Sequence, residues 1–167
     1  RGTNWRKKTE IGKNCLIMAY CHIAHDCKVG DNSIFSNNST LAGHVTVQDY
    51  VILAGMVAVH QFCNIGRHAF IAGGSLVRKD IPPFVKAARE PLSYVGINSV
   101  GLRRRGFESE KIREIQNIYR ILYQKKFNNT QAIDIIEAEL EATTARDEIL
   151  LFIKNSQRGI MKGYVQN

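Results

Sequence analysis

Three of the five histidines in this 167-residue chain come in polar company at a regular interval. His25-Asp26, Gly43-His44 and His60-Gln61 recur at intervals of about eighteen residues. A neutral imidazole beside a carboxylate is a standard general-base pair, because the carboxylate orients the ring and makes it more basic. The same residue types also build zinc sites, in which histidine nitrogen is a frequent ligand. One exposed histidine implies neither chemistry. The weight of both readings falls on whether the fold brings these segments together.

The elements that would do so follow from a period of six. Every sixth residue from Ile11 to Val77 is apolar, twelve in unbroken succession. A helix repeats near 3.6 residues and a strand near 2, so neither alone explains the pattern. A short strand, a turn and another short strand do, which is the hexapeptide signature of a parallel β-helix. Two residues before each apolar anchor stands a small or β-branched residue, such as Cys15, Ser33 or Val45, predicted to face a narrow interior. Gly12, Gly30 and Gly66 directly follow their anchors and suit tight corners.

Hexads of the form Ile-Gly-x-x-x-x, as in Ile11-Gly12 and Ile65-Gly66, resemble those of the left-handed β-helix acyltransferases. In that family three hexads make one triangular coil of eighteen residues. The resemblance implies the left hand, against the usual right-handed crossover. It also stacks residues eighteen apart, about 4.8 Å from coil to coil. Asp26 then lies under His44, and Gly43 lies over His25. His60 and Gln61 sit above them, His22 shares the edge, and His68 falls on another face. A β-helix core has no use for such a patch.

The chain carries a net charge of +8, unevenly spread. Eight Lys or Arg and three acidic residues fall between Arg103 and Lys126. Such a balance suits an acidic partner (nucleic acid, anionic lipid or an acidic carrier protein) or simply a solvated helix face. No aromatic platform alternates with the basic residues, so nucleic acid is not expected. No apolar run is long enough to span a membrane and no signal peptide is evident, which predicts a cytoplasmic protein without stable membrane insertion. Residue 1 is Arg and the hexads begin almost at once, so the chain is expected to be a fragment lacking earlier coils. Cys15, Cys21, Cys27 and Cys63 share the small inward phase of the hexad and read as structural thiols, neither metal ligands nor disulfides. No cofactor and no metal are assigned.

Two domains are predicted: the β-helix over 1–87, then a connection and three-helix region over 88–167. Residues 1–10 read as a loop or broken coil. Asp80-Ile81-Pro82-Pro83 ends the clean register, and 84–106 read as an irregular connection. Ser109 is predicted to cap a helix running to about Lys126, with Ile112, Ile115, Ile118, Tyr119 and Leu122 on its apolar face. After a break at Asn128-Asn129, Thr130 is predicted to cap a second helix through about Ala142. Thr144, followed by Asp147, is predicted to cap a third that stops near Gly159, before a loose tail over 160–167.

The runs His22-Ile23-Ala24-His25-Asp26-Cys27, Asn37 to His44 and Val59-His60-Gln61-Phe62 closely resemble the UDP-N-acetylglucosamine O-acyltransferases, which open lipid A assembly in Gram-negative bacteria. The resemblance continues through Gly73-Gly74, Asp80 to Pro83, Gly96-Ile97-Asn98, Gly101 to Phe107 and Ser156 to Ile160, nearly the whole chain. It implies His25 as the general base, taking the proton of the sugar 3-hydroxyl as that oxygen attacks the thioester of an acyl carrier protein. It implies Asp26 as the group that orients the ring, and the Gly43 N–H as the oxyanion donor. His22, His44, His60 and Gln61 match residues that hold UDP-N-acetylglucosamine. Asn98 and Arg104 match nucleotide and phosphate contacts, and Arg103, Arg104 and Arg105 are divided between the phosphates and the acidic carrier protein. Gly73 matches the position that sets acyl length, where glycine leaves room for a long acyl or 3-hydroxyacyl chain. The resemblance further implies a homotrimer with sites between subunits. Two departures stand out: Val100 occupies a position that is acidic in some family members, and the loop from Arg89 to Tyr94 differs from the family's Gly-Asn-rich version.

Three other readings remain open at this level. The related N-acyltransferases of the same pathway share the fold and the carrier protein but place their histidine differently and lack the Gly-Leu-Arg-Arg-Arg-Gly-Phe stretch. Metal-dependent β-helix hydratases use three histidines shared between subunits. A carrier-protein-binding scaffold without catalysis is the third.

Overall fold

The computed structural model describes residues 2–4, 6–124 and 127–163. Twelve two-residue strands, from β1 (Glu10–Ile11) to β12 (Leu76–Val77), carry the twelve apolar anchors as their second residues. Anchors eighteen apart pair in parallel. Ile11, Val29, Val47 and Ile65 line one face, Ile17, Phe35, Leu53 and Ile71 a second, and Ile23, Leu41, Val59 and Val77 a third. The interior is dry from Val29 onward: Phe35, Leu41, Leu53, Ile65 and Ile71 are fully buried. Burying each stabilises the coil by roughly 1.5–3 kcal/mol. The first coil is open, with Ile11 and Ile17 48% and 39% exposed.

The small inward residues do more than fill space. Thr9, Cys21, Cys27, Ser33 and Ser39 each donate a side-chain hydrogen bond to a backbone carbonyl fifteen residues on, one coil up, at 3.0–3.2 Å. All four cysteines are free. Burial pushes the Cys27 thiol up, and Cys63 up to about 11, so both stay protonated, as a donor requires.

The corners correct the expectation about glycine. Each hexad turns on the third residue after its anchor, and from Asn14 to His68 these non-glycine residues hold φ between +54° and +64°. The column contains no β-branched residue, the type that suffers most there. The glycines just after the anchors answer to close approach instead. A Cβ on Gly12 would lie 2.3 Å from Asp31 Oδ1, and one on Gly30 equally close to Asp49 Oδ1. Those carboxylates accept the backbone N–H groups of Lys13 and Asp31, both at 2.7 Å, bonding one coil to the next.

Beyond Val77 the ladder tightens rather than stops. Ile81 bridges Ile65 and Lys86 pairs Phe70, both sixteen residues apart. The stretch expected to be irregular contains β13 (Val85–Ala88), β14 (Ser93–Ile97) and the short helix α1 (Ser99–Arg104). Pro91, Gly96 and Gly101 hide these elements from a periodicity search. Three longer helices follow: α2 (Ser109–Gln124), α3 (Asn129–Glu139) and α4 (Thr144–Asn155). Their caps fall one or two residues earlier than predicted. The Ile112 N–H donates to the carbonyl of Glu108, not Ser109. Asn128 and Gln131 make a capping box in place of Thr130, and Thr143 caps α4 in place of Thr144. Lys125 and Lys126, where the first helix was expected to end, lie outside the described residues. Gly159 turns the chain with φ +70° four residues after α4 ends. The segment beyond it is no loose tail as far as it is described: Ile160 and Met161 are buried, and β15 (Lys162–Gly163) pairs with β14. Residues 164–167 lie outside the described residues.

The helices close the last coil. The predicted apolar face of α2 is buried, and Tyr119 donates its hydroxyl to the Pro83 carbonyl at 2.6 Å. Among the described residues no helix is long and apolar enough to cross a membrane.

His68 is the one histidine taken into this packing. Its ring lies flat between Tyr50 and Phe84, 4.8 and 5.7 Å away, with Phe107 edge-on. Its carbonyl accepts the Asn98 side-chain amide at 2.9 Å. Burial, aided by the nearby Arg105 and Arg67 charges, pushes it down to about 4 from an ordinary 6.5. The folded protein therefore holds His68 neutral where the unfolded chain takes up a proton. Its contribution to stability is fully present above pH 6.5 and is lost as pH falls towards 4. Denaturant melts between pH 7 and 4.5 should show an acid loss on the order of 2 kcal/mol from this group, flattened in His68→Phe. Phenylalanine suits the site because Phe62 and Phe84 hold the same left-handed φ, +64° and +65°.

Candidate functional site

Stacking brings the predicted patch together on one edge of the β-helix. The corner after the third face presents, coil by coil, His25-Asp26, Gly43-His44 and Gln61-Phe62. Asp26, His44 and Phe62 occupy the left-handed turn position, which throws their side chains along the edge. The His44 ring stacks on Phe62 at 4.7 Å and meets His25 edge-on at 5.0 Å.

The carboxylate of Asp26 is the buried centre of this edge, with no exposed surface. Its Oδ2 lies 3.0 Å from His25 Nδ1 and 4.0 Å from His44 Nε2. It also accepts the Thr3 hydroxyl at 2.6 Å and the Thr3 backbone N–H at 2.8 Å, while Oδ1 accepts the Arg6 N–H at 3.1 Å. Burial opposes the charged form, but the hydrogen bonds from Thr3, His25 and Arg6 outweigh it and hold the carboxyl well below the usual carboxylate range. The anion faces Nδ1 of a half-exposed His25, which leaves Nε2 as the free basic atom on the open side. The sequence reading missed Thr3 and Arg6, because they precede the hexads and carry no periodic signal.

Gly43 sits against the His25 ring. A Cβ there would fall 2.4 Å from Cε1 and 2.6 Å from Nε2 of the imidazole. At the opposite corner the equivalent N–H groups are taken by the next coil's aspartates. The Gly43 N–H donates to no acceptor among the described residues. A basic ring nitrogen and an unused backbone donor therefore lie side by side. His25, Asp26 and His44 also bring three potential ligand atoms within 4.8 Å. The carboxylate's engagement by Thr3 and Arg6 suits ring orientation better than ligation.

His22, on the outer face of the same coil, and His60 and Gln61 are exposed along this edge. The other predicted residues lie elsewhere in the chain. Gly73 is exposed at a different corner, where a Cβ would meet the Gly55 carbonyl at 3.1 Å. Asn98 caps α1 and bonds His68, so both ends of its amide are used. With exposed Arg104 and with Lys86 it lines a groove of about 420 Å³ floored by Ile52 and Phe70. Arg105 turns inward, its guanidinium 5.3 Å over the Tyr50 ring. Within one chain, then, the histidine edge and the Asn98–Arg104 groove are separate.

Comparison with known proteins gives a consistent picture. A family described as UDP N-acetylglucosamine O-acyltransferase, domain 2, matches residues 80–161, and one described as bacterial transferase hexapeptide (six repeats) matches 8–43. The acyl-[acyl-carrier-protein]–UDP-N-acetylglucosamine O-acyltransferase of Herminiimonas arsenicoxydans is 47% identical over 158 residues, covering 92% of this chain and 60% of that protein. The protein of the same name from Thiobacillus denitrificans is 43% identical, with 94% and 61% covered. Among solved structures, the UDP-N-acetylglucosamine acyltransferase of Bacteroides fragilis superposes with a TM-score of 0.95 at 44% identity, covering 97% of this chain and 64% of that one. The Francisella novicida enzyme gives 0.92 at 41%, covering 96% and 59%. The shared fold is a left-handed parallel β-helix followed by helices, the hand expected from the hexads. The chain spans about three fifths of the length of the curated relatives it matches.

Contact between Gly43 and the ring makes a direct prediction. Gly43→Ala should push the imidazole off Asp26, seen as loss of the low-field His25 Nδ1–H proton signal. Gly55→Ala, whose added Cβ meets only the Asn37 carbonyl at 3.5 Å, should leave it in place.

Proposed function

The chain belongs to the UDP-N-acetylglucosamine O-acyltransferase family of hexapeptide-repeat proteins, and from that premise we propose that it carries the catalytic edge of an enzyme moving a (3-hydroxy)acyl chain from acyl carrier protein to the 3-hydroxyl of UDP-N-acetylglucosamine. One observation carries the reading. The unused Gly43 N–H lies beside His25, whose Nδ1 is held by Asp26. In the proposed step His25 Nε2 takes the hydroxyl proton as the sugar oxygen attacks the thioester carbonyl. The new oxyanion accepts the Gly43 N–H, and such a donor is worth roughly 2.7–4 kcal/mol in other enzymes. Collapse forms the ester and expels the thiolate, which takes its proton from the His25 imidazolium. Asp26, ionised throughout, stabilises that cation.

The two separate regions find a use if the enzyme is a homotrimer. A subunit's histidine edge then faces a neighbour that brings its own Asn98–Arg104 groove. His22, His44, His60 and Gln61 hold the sugar nucleotide along the edge. Arg104 serves the phosphates, with Arg103 turned to the acidic carrier protein; Arg105, expected beside Arg104, is instead packed inward over Tyr50. Gly73 keeps the acyl path open. A cytoplasmic setting accords with the free buried thiols.

Mass-spectrometric detection of O-acylated UDP-sugar, with 3-hydroxyacyl carrier protein as donor, tests the proposal. His25→Ala should lower turnover by about 10²–10⁴-fold. Turnover close to that of the unaltered protein would end the general-base assignment. Acylation of an amino group in place of the hydroxyl would move the chain to the N-acyltransferases.

A further inference from the structure

The buried carboxylate of Asp26 lies between two imidazoles. Oδ2 is 3.0 Å from Nδ1 of His25 and 4.0 Å from Nε2 of His44. Nothing in the hexad register decides which ring it serves, because both histidines belong to the same edge. The decision comes from outside the register. Thr3 reaches over from the start of the chain and donates its hydroxyl to Oδ2 at 2.6 Å, while its N–H is shared between Oδ2 at 2.8 Å and Oδ1 at 3.1 Å. Arg6 fixes the other oxygen through its N–H at 3.1 Å. Its guanidinium spans two coils, from the Asp26 carbonyl at 3.3 Å to the Thr46 hydroxyl at 3.1 Å. A carboxylate offers about four lone-pair directions. Thr3 supplies two donors, Arg6 one and His25 Nδ1 the fourth, so the carboxylate is filled with His25 as its imidazole partner and has no direction left for His44.

We propose that Thr3 is a positioning residue for acyl transfer: its hydroxyl fixes the Asp26 carboxylate on His25, which sets the proton on Nδ1 and leaves Nε2 free as the base. The inference rests on the acyltransferase reading and extends it to a residue that touches neither substrate nor the reacting atoms. Without the hydroxyl, Oδ2 has a vacant lone pair and can swing towards His44 Nε2. His25 then loses its fixed tautomer, since either ring nitrogen of an unheld imidazole can carry the proton.

The test pairs a spectroscopic signature with kinetics. Nitrogen-15 correlation spectra of histidine-labelled protein at a pH where His25 is neutral report which ring nitrogen carries the proton. The unaltered protein should show His25 with the proton on Nδ1. Thr3→Val should show a mixture of tautomers and a roughly tenfold lower kcat, with KM for the UDP-sugar within about twofold. Thr3→Ser, which keeps the hydroxyl, should restore both tautomer and kcat. A Thr3→Val protein with the original tautomer and kcat overturns the proposal. So does equal loss in Thr3→Val and Thr3→Ser, which would assign Thr3 a packing role. Because the spectra need no substrate, they separate this inference from the general-base reading. If His25→Ala kept its turnover, that reading alone would fall, while a tautomer shift in Thr3→Val would still establish the Thr3–Asp26–His25 link.

Discussion

Everything in this molecule depends on one constraint: each coil must bond its backbone to the coil above in an eighteen-residue register. The hydrogen bonds run from Glu10 N–H to the Cys27 carbonyl, from Leu16 to Ser33, from His22 to Ser39 and onward. A one-residue insertion in any hexad would turn its anchor outward and strip the carbonyls above of their partners. The inward hydroxyls and thiols reinforce the same register, since each reaches a carbonyl of the next coil. So do the aspartates of the opposite corner. The core is thus narrow but heavily cross-bonded, and helices seal only its far end.

The register leaves the corners free to differ. All must turn through a left-handed residue, yet the side chain at that residue points away from the core. One corner sets Asp31 and Asp49 directly before its left-handed residues Asn32 and Tyr50, where their carboxylates tie coils together. Another uses the freedom for Asp26, His44 and Phe62, stacked into a wall beside His25 and Gly43. Left-handed backbone costs an L-residue on the order of 1–2 kcal/mol, which the ladder absorbs. The histidine edge is therefore built on the heavily cross-bonded part of the chain. Thr3 and Arg6 are the exception: they lie outside the hexads and still hold the central carboxylate.

The period of six made the β-helix, its anchors and its inward column legible from residues alone, and the eighteen-residue stack placed Gly43 on His25 by arithmetic. Three kinds of information were not legible. Hexad glycines looked like turn formers because glycine is the usual left-handed residue, whereas Gly12 and Gly30 admit a neighbouring carboxylate and Gly66 admits Pro83. The strands Val85–Ala88 and Ser93–Ile97 were lost because the repeat shortens to sixteen and prolines and glycines interrupt it. The clamp on Asp26 was invisible because Thr3 and Arg6 stand about twenty residues from their partner with no pattern linking them. Asn98 was expected as a site residue from family resemblance alone, and its double role in capping α1 and holding His68 emerges only from packing.

Stacking by eighteen has a further consequence for how substitutions combine. In most folds a residue is coupled to a scattered set of neighbours. Here a corner side chain meets chiefly those directly above and below it, so energetic coupling runs in columns along the helix axis. Changes at positions 25 and 43 share a contact and should be strongly non-additive, whereas 25 and 73, on different corners, should combine nearly independently within one chain. The edge behaves as a set of parallel registers, each open to alteration without disturbing the others.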